Sequence, residues 1–282
     1  MKSRSKILLS LTTILAIMIM SSCKKGMTDL PANANENALN AETSMKPNGE
    51  RSGTLLLTKV GNTTLNYQRS KLASVDYGNG KVKTYTYTSS AVFKQIIATE
   101  TLNGKKTNKT TYILNASGLC TKMKYQSFDV LGNVLVNGEY NFTYENGRLI
   151  AQVGDKDFGD RYEFTYDGKG RLVWFRMYDT EWYLIGKMHY QYGDKVLEAE
   201  IPNKNQINPE DAFIDDFQKI FGVFSNDLVR QKLYYDKDGN IQWGEQYNYA
   251  LNNYSYPTER KTYNLFAWAL KGTIAYSYKS PN

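Results

Sequence analysis

The chain has 282 residues, with 35 Lys and Arg against 28 Asp and Glu, a formal net charge of +7 and a mean hydropathy of −0.55. That length buries a substantial core in one or two domains, while the hydropathy excludes a polytopic helical membrane protein, and one His with two Cys leaves little for a zinc site or a disulfide framework. Tyr is the outlier: 23 occur, none before Tyr67, and such an aromatic, Thr-rich composition favours strands.

At the N-terminus, Lys2, Arg4 and Lys6 precede an apolar run from Ile7 to Met20, closed by Ser21-Ser22-Cys23. This is the cationic, apolar, small-residue order of a secretory signal, and the run is shorter than the roughly 20 apolar residues of a spanning helix. A Cys directly after two small residues resembles a bacterial lipobox, with Met20 at its first position. The resemblance implies a signal peptide over 1–22, cleavage before Cys23, lipidation of its thiol and acylation of its new amine. Two or more acyl chains hold a protein stably on a bilayer. The alternative is an ordinary secretory signal followed by an incidental Cys. Processing leaves 32 Lys and Arg (35 − 3) against 28 acids, spread along the chain. Nucleic-acid binding needs a basic stripe and access to nucleic acid, so that class is excluded.

Residues 23–53 are rich in Asn, Ala and Glu and follow neither strand nor helix period, which reads as a disordered tether reaching on the order of 30 Å. The expected location is the bacterial outer membrane, with the lipid-anchored chain on either the periplasmic or the cell-surface face. Surface export in the lipoproteins it resembles follows an acidic cluster, whereas Cys23 is followed by Lys24-Lys25-Gly26.

From residue 54 to 282 the chain reads as one β-meander domain. Asn79-Gly80, Asn103-Gly104, Asn137-Gly138, Asn146-Gly147, Asp167-Gly168 and Asp238-Gly239 supply the positive φ angles of tight hairpins. Between them, Tyr162, Phe164 and Tyr166 alternate with Arg161, Glu163 and Thr165. Likewise Leu119, Thr121, Met123 and Tyr125 alternate with Cys120, Lys122, Lys124 and Gln126. Such strands belong to an antiparallel sheet solvated on one face. The predicted fold is all-β, an antiparallel meander of repeated hairpins forming a curved sheet or partly closed barrel. One inserted helix is predicted over about 209–221: Asn208-Pro209-Glu210-Asp211 reads as a cap and first turn, Phe213, Ile214, Phe217, Ile220 and Phe221 follow helical spacing, and Gly222 ends it. Its aromatic face would cover the core or line a ligand pocket.

The units repeat. Tyr140-Asn-Phe-Thr-Tyr-Glu-Asn-Gly-Arg148-Leu149 matches Tyr162-Glu-Phe-Thr-Tyr-Asp-Gly-Lys-Gly-Arg171-Leu172, and Tyr234 to Ile241 is a third copy without the Arg. These residues resemble the YD repeat of bacterial wall-associated and toxin-encapsulating proteins. With the lipobox and tether, the whole chain resembles a family of uncharacterised Bacteroidota lipoproteins whose domain of unknown function is described as porin-like. The resemblance implies a curved or barrelled sheet and transfers no functional residue. A membrane-spanning barrel has the same alternation. Against it stand strands mostly shorter than the roughly 9–11 residues needed to cross, a terminal Lys279-Ser280-Pro281-Asn282 without the usual aromatic, and the redundancy of an anchor.

Few residues offer chemistry. His189 lies on the polar face of a strand with Lys187 and Gln191, and no nucleophile motif accompanies it. Cys120 has a nearby Lys122 that could lower its pKa, yet reads as an incidental thiol. Glu198 and Glu200 share a strand face, and Asp211, Asp215 and Asp216 lie on the predicted helix; paired carboxyls about 5–10 Å apart are what glycosidases use. Trp174, Trp243 and Trp268 are placed in strands. Trp182 and Tyr183 follow Asp179-Thr180-Glu181 in a loop, and two consecutive aromatics cannot both face one core. They are the candidate ligand-binding residues. The expectation is therefore a non-catalytic envelope lipoprotein binding a glycan or partner protein, with no metal, cofactor or nucleic acid. The alternatives are a carboxylate-dependent polysaccharide hydrolase and a structural spacer.

Overall fold

The computed structural model describes residues 55–89, 94–155, 159–193, 200–204, 208–209, 212 and 214–280. The segments predicted as signal peptide (1–22) and tether (23–53), with Cys23, fall outside the described residues, as do Glu198, Asp211 and Phe213.

Sixteen strands follow in order: β1 (Leu56–Val60), β2 (Thr63–Gln68), β3 (Lys71–Asp76), β4 (Lys81–Ser89), β5 (Lys94–Leu102), β6 (Lys105–Leu114), β7 (Cys120–Phe128) and β8 (Val134–Glu145). The second half is β9 (Arg148–Gly154), β10 (Arg161–Tyr166), β11 (Leu172–Tyr178), β12 (Leu184–Gln191), β13 (Gln231–Asp236), β14 (Ile241–Leu251), β15 (Pro257–Asn264) and β16 (Leu270–Lys279). Each pairs antiparallel with its sequence neighbours, as tight turns demand. The sheet is not partly closed: β16 pairs with β1 through Leu57↔Tyr278 and Val60↔Tyr276, and the barrel is complete. Closure satisfies both edges that an open sheet would leave unpaired.

Five of the six turn dipeptides lie in turns, while Asn137-Gly138 sits inside β8, paired with Gln126 and Tyr125. The turn in that region is Asp129 to Asn133, held by Asp129 Oδ1 accepting from the Leu131 and Asn133 amides, both at 2.8 Å.

Alternation sets inside from outside. Tyr162, Phe164, Phe175 and Met188 face the lumen and are buried, whereas Arg161, Glu163, Arg176 and Lys187 lie on the opposite faces of the same strands. Cys120 departs from its predicted outward position, because a register shift between Ile113 and Leu114 turns it into the lumen. The result inverts a spanning barrel: such a barrel needs an outward apolar band, and here the outer face carries ion pairs such as Lys122–Glu139 (2.6 Å) and Arg161–Glu163 (2.7 Å).

The odd strands start, and the even strands end, at one end of the barrel, here termed the base; the other end is the rim. A repeated device at the base explains the tyrosine excess. The hydroxyl of Tyr144 at the end of β8 donates to the Cys120 carbonyl (2.8 Å), Tyr166 in β10 to Leu149 (2.9 Å), Tyr192 after β12 to Leu172 (2.7 Å) and Tyr278 in β16 to Pro257 (2.6 Å). Each spans a hairpin and satisfies the first or second carbonyl of the preceding odd strand, the need that buried backbone polar groups impose.

Described residues of the β12–β13 connection form a segment inserted into the lumen, with Ala212, Ile220, Phe221 and Phe224 buried in the core. Cys120 N–H donates to the Ile220 carbonyl and Leu172 N–H to that of Phe224, both at 2.7 Å, while Gly222 bridges Arg148. Phe221 packs on Tyr112 and Phe142, and Phe224 on Phe164. Among the described residues of 209–221 there are turns and bends and no helix, correcting the predicted element. The cause is side-chain competition for the backbone. Asn208 does not cap an N-terminus; its Nδ2 donates to the Asp215 and Gln218 carbonyls at 2.6 and 3.0 Å. Asp215 Oδ1 in turn accepts the Phe217 and Gln218 amides.

Candidate functional site

The sequence singles out Trp182 and Tyr183, and the structure places both on the β11–β12 turn at the rim, 58% and 67% exposed. Asp179 builds this turn: its Oδ1 accepts the Glu181 and Tyr183 amides at 2.9 Å, and its backbone pairs with Tyr183 and Trp182 at 3.0 Å. The same construction recurs at Asp129, Asp167 and Asp236, whose side chains accept the amides two and four residues on. In those turns the fourth residue has positive φ and is glycine, namely Gly132, Gly170 and Gly239. In the Asp179 turn it is Trp182, at φ 68°. A bulky side chain in the left-handed region costs about 1–2 kcal/mol. The Arg161 guanidinium, 4.7 Å from the Trp182 ring, returns part of that through a cation–π contact.

Trp268 belongs to the same rim. It lies in the β15–β16 turn and not in a strand, at φ 52° and 67% exposed. Of the exposed large apolar side chains among the described residues, all but Leu251 and Tyr254 lie at this end, including Val130 and Leu131 on the β7–β8 turn.

The other sequence candidates are not brought together. His189 points outward and stacks on Trp174 with ring centroids 4.3 Å apart; burial and then Lys187 hold its pKa below the ordinary value. Cys120 faces the lumen, donates to the Lys122 carbonyl at 3.3 Å, and burial pushes its thiol up to about 12, so it is not an activated nucleophile. Trp243 stacks on Tyr234. Glu200 is held by Lys169 (2.7 Å) and Arg171 (2.5 Å), and those hydrogen bonds keep its carboxyl below the usual range. This cluster, joined by Asp167 and Asp227, ties the β10–β11 turn to the inserted segment.

Asp215 is committed to structure as well. Its Oδ2 accepts from Tyr85 (2.8 Å), Tyr112 (3.2 Å) and Lys83 (3.4 Å) deep in the barrel. Burial opposes charge on Lys83, but Asp215 with Tyr77 and Glu100 brings its pKa above the ordinary value. Among the described residues no group of three or more His, Cys, Asp or Glu is arranged to hold a metal.

Two cavities flank the inserted segment. One, of about 290 Å³, lies against β1–β5 and is lined by Leu57, Leu65, Tyr67 and Phe217 among others. The second, of about 230 Å³, lies against β12–β16 and β1, and its lining includes Asn203, Lys232, Tyr247, Arg260 and Tyr276. Sequence reasoning missed these residues because they come from six strands and a loop with no common spacing. The alternation of β13 through β16 was the only signal available.

The fold is similar to that of a porin-like protein from Bacteroides vulgatus ATCC 8482, with a TM-score of 0.54 and 16% identity, covering 79% of this chain and 98% of that one. It is also similar to a porin-like protein from Bacteroides uniformis ATCC 8492, with a TM-score of 0.50 and 17% identity, covering 77% of this chain and 90% of that one. At these identities the likeness establishes the barrel architecture alone. No protein-family model and no curated protein matches the sequence.

Proposed function

We propose that this chain is a non-catalytic lipoprotein of the bacterial outer membrane, of the Bacteroidota family that it resembles, anchored through Cys23. Its barrel presents the rim around Trp182 and Tyr183 to a ligand, a glycan or a partner protein. One observation carries the reading: Trp182 occupies the left-handed position that glycine fills in the Asp129, Asp167 and Asp236 turns and the small Ser255 fills in the Asn252 turn, and it is exposed there. Strain retained at an exposed aromatic points to use of that aromatic. Binding would combine stacking on the rim aromatics with hydrogen bonds from the polar turn residues. A pure spacer has no use for such a rim, and a hydrolase built on Glu200 would have to free it from Lys169 and Arg171.

The test is tryptophan fluorescence of the full chain titrated with bacterial, host and dietary glycans, alongside Trp182→Gly. The expected result is a saturable shift for one glycan class that the variant loses. The variant should fold within about 1 kcal/mol of wild type, because relief of the left-handed strain offsets the lost cation–π contact. A flat response across the panel removes the glycan and leaves a protein partner. A shift that survives Trp182→Gly removes the rim.

A further inference from the structure

We propose that the 230 Å³ cavity between the inserted segment and strands β12–β16 is a binding site for a single neutral pyranose ring, separate from the rim. The inference begins at Asn203, which lines the cavity and is 9% exposed. Its backbone N–H donates to the Asn226 carbonyl (2.6 Å) and its Nδ2 to the Ser225 carbonyl (3.3 Å). The Nδ2 bond fixes the amide orientation, so that Oδ1 is the acceptor left over. It is buried and has no hydrogen-bond partner among the described residues. Pro202 bridges Asp227, and Leu228 N–H donates to the Ile201 carbonyl (2.7 Å), so Asn203 sits on a short rigid ladder and not on a free loop. A buried acceptor without a donor costs about 1–3 kcal/mol, which a ligand hydroxyl would recover.

The remaining wall defines the ligand class. Tyr247 and Tyr276 line the cavity with aromatic surface of the kind on which the C–H face of a sugar ring packs, and Arg260 lies beside them, 5.0 Å from the Tyr247 ring. Among the described lining residues the formal charges balance, Lys232 and Arg260 against Asp216 and Asp227, and Lys232 is already 3.5 Å from Glu245. A charged ligand therefore finds no uncompensated partner, and burying its charge would be costly. The volume lies below the roughly 300 Å³ at which pockets for larger ligands begin, which limits the occupant to about one ring. The competing occupant is a water cluster, of about seven molecules at roughly 30 Å³ each.

The experiment is saturation-transfer-difference NMR on the full chain in detergent with D-glucose, D-galactose, D-mannose and N-acetyl-D-glucosamine, each at up to about 50 mM. Transfer to the ring protons of at least one sugar is expected. Asn203→Leu should weaken it about tenfold. Val60→Phe, which fills the cavity from the opposite wall, should abolish it and stands in if the first variant misfolds. Trp182→Ala should leave it unchanged, which separates this site from the rim. Absence of transfer from all four sugars overturns the proposal in favour of water. Transfer that persists in folded Asn203→Leu and Val60→Phe, or that disappears in Trp182→Ala, overturns the assignment to this cavity.

Discussion

At the residue scale, the chain gives up stability at Trp182, which holds a glycine position, at the Asn203 acceptor, and at Gln152, which holds an apolar position. Gln152 is fully buried in the lumen beside Phe142 and Tyr162, and neither atom of its amide has a hydrogen-bond partner among the described residues. Replacing it with an apolar side chain of similar volume removes a desolvation cost without opening a cavity. Gln152→Met should therefore raise unfolding stability by about 1–3 kcal/mol, read from the denaturant midpoint at constant slope; a fall in the midpoint would show that the amide is satisfied. By contrast Tyr144, whose hydroxyl caps the Cys120 carbonyl, should lose about 1 kcal/mol on replacement by Phe.

At the scale of elements, the hairpins were legible and the lumen was not. Asp-Gly and Asn-Gly dipeptides specify turns through their own backbone preference, so they work without tertiary context; Asn137-Gly138 failed because its neighbours Gln126 and Tyr125 hold it in a ladder. The segment after β12 misled the reading for the opposite reason. Its Phe and Ile residues recur at helical spacing, yet Asn208 and Asp215 bind local backbone groups and the aromatics meet different walls of the barrel. Gly222, read as a helix stop, is a point of close backbone approach: a Cβ there would sit 2.4 Å from the Gly147 carbonyl oxygen, at φ +82°. Gly222→Ala should thus displace the segment and cost about 2 kcal/mol or more. Hydrogen exchange would show it as faster exchange at the Cys120 and Leu172 amides, which are bonded to the segment. Unchanged protection at those amides would contradict the docking described here.

At the scale of the whole molecule, a closed barrel filled with tyrosine has a characteristic response to base. Burial raises the Tyr67 hydroxyl to about 12 and moves Tyr144, Tyr166 and Tyr192 in the same direction. An unfolded Tyr ionises near 10, so above that pH the unfolded chain loses protons that the folded chain keeps. Stability should hold up to about pH 10 and fall steeply from there toward the folded values, with tyrosinate absorbance appearing together with loss of circular dichroism. Tyrosinate appearing while the fold persists would mean that the hydroxyls are not buried. The same filled lumen and charged outer face support the proposal made above, that this barrel is held at a membrane through a lipid on Cys23 and not by its strands. Fractionation of the full chain and of Cys23→Ser in a Gram-negative host tests it most directly. The account predicts wild type in the membrane fraction and a folded Cys23→Ser barrel that is soluble without detergent; a Cys23→Ser protein that stays in membranes through an alkaline carbonate wash would contradict it.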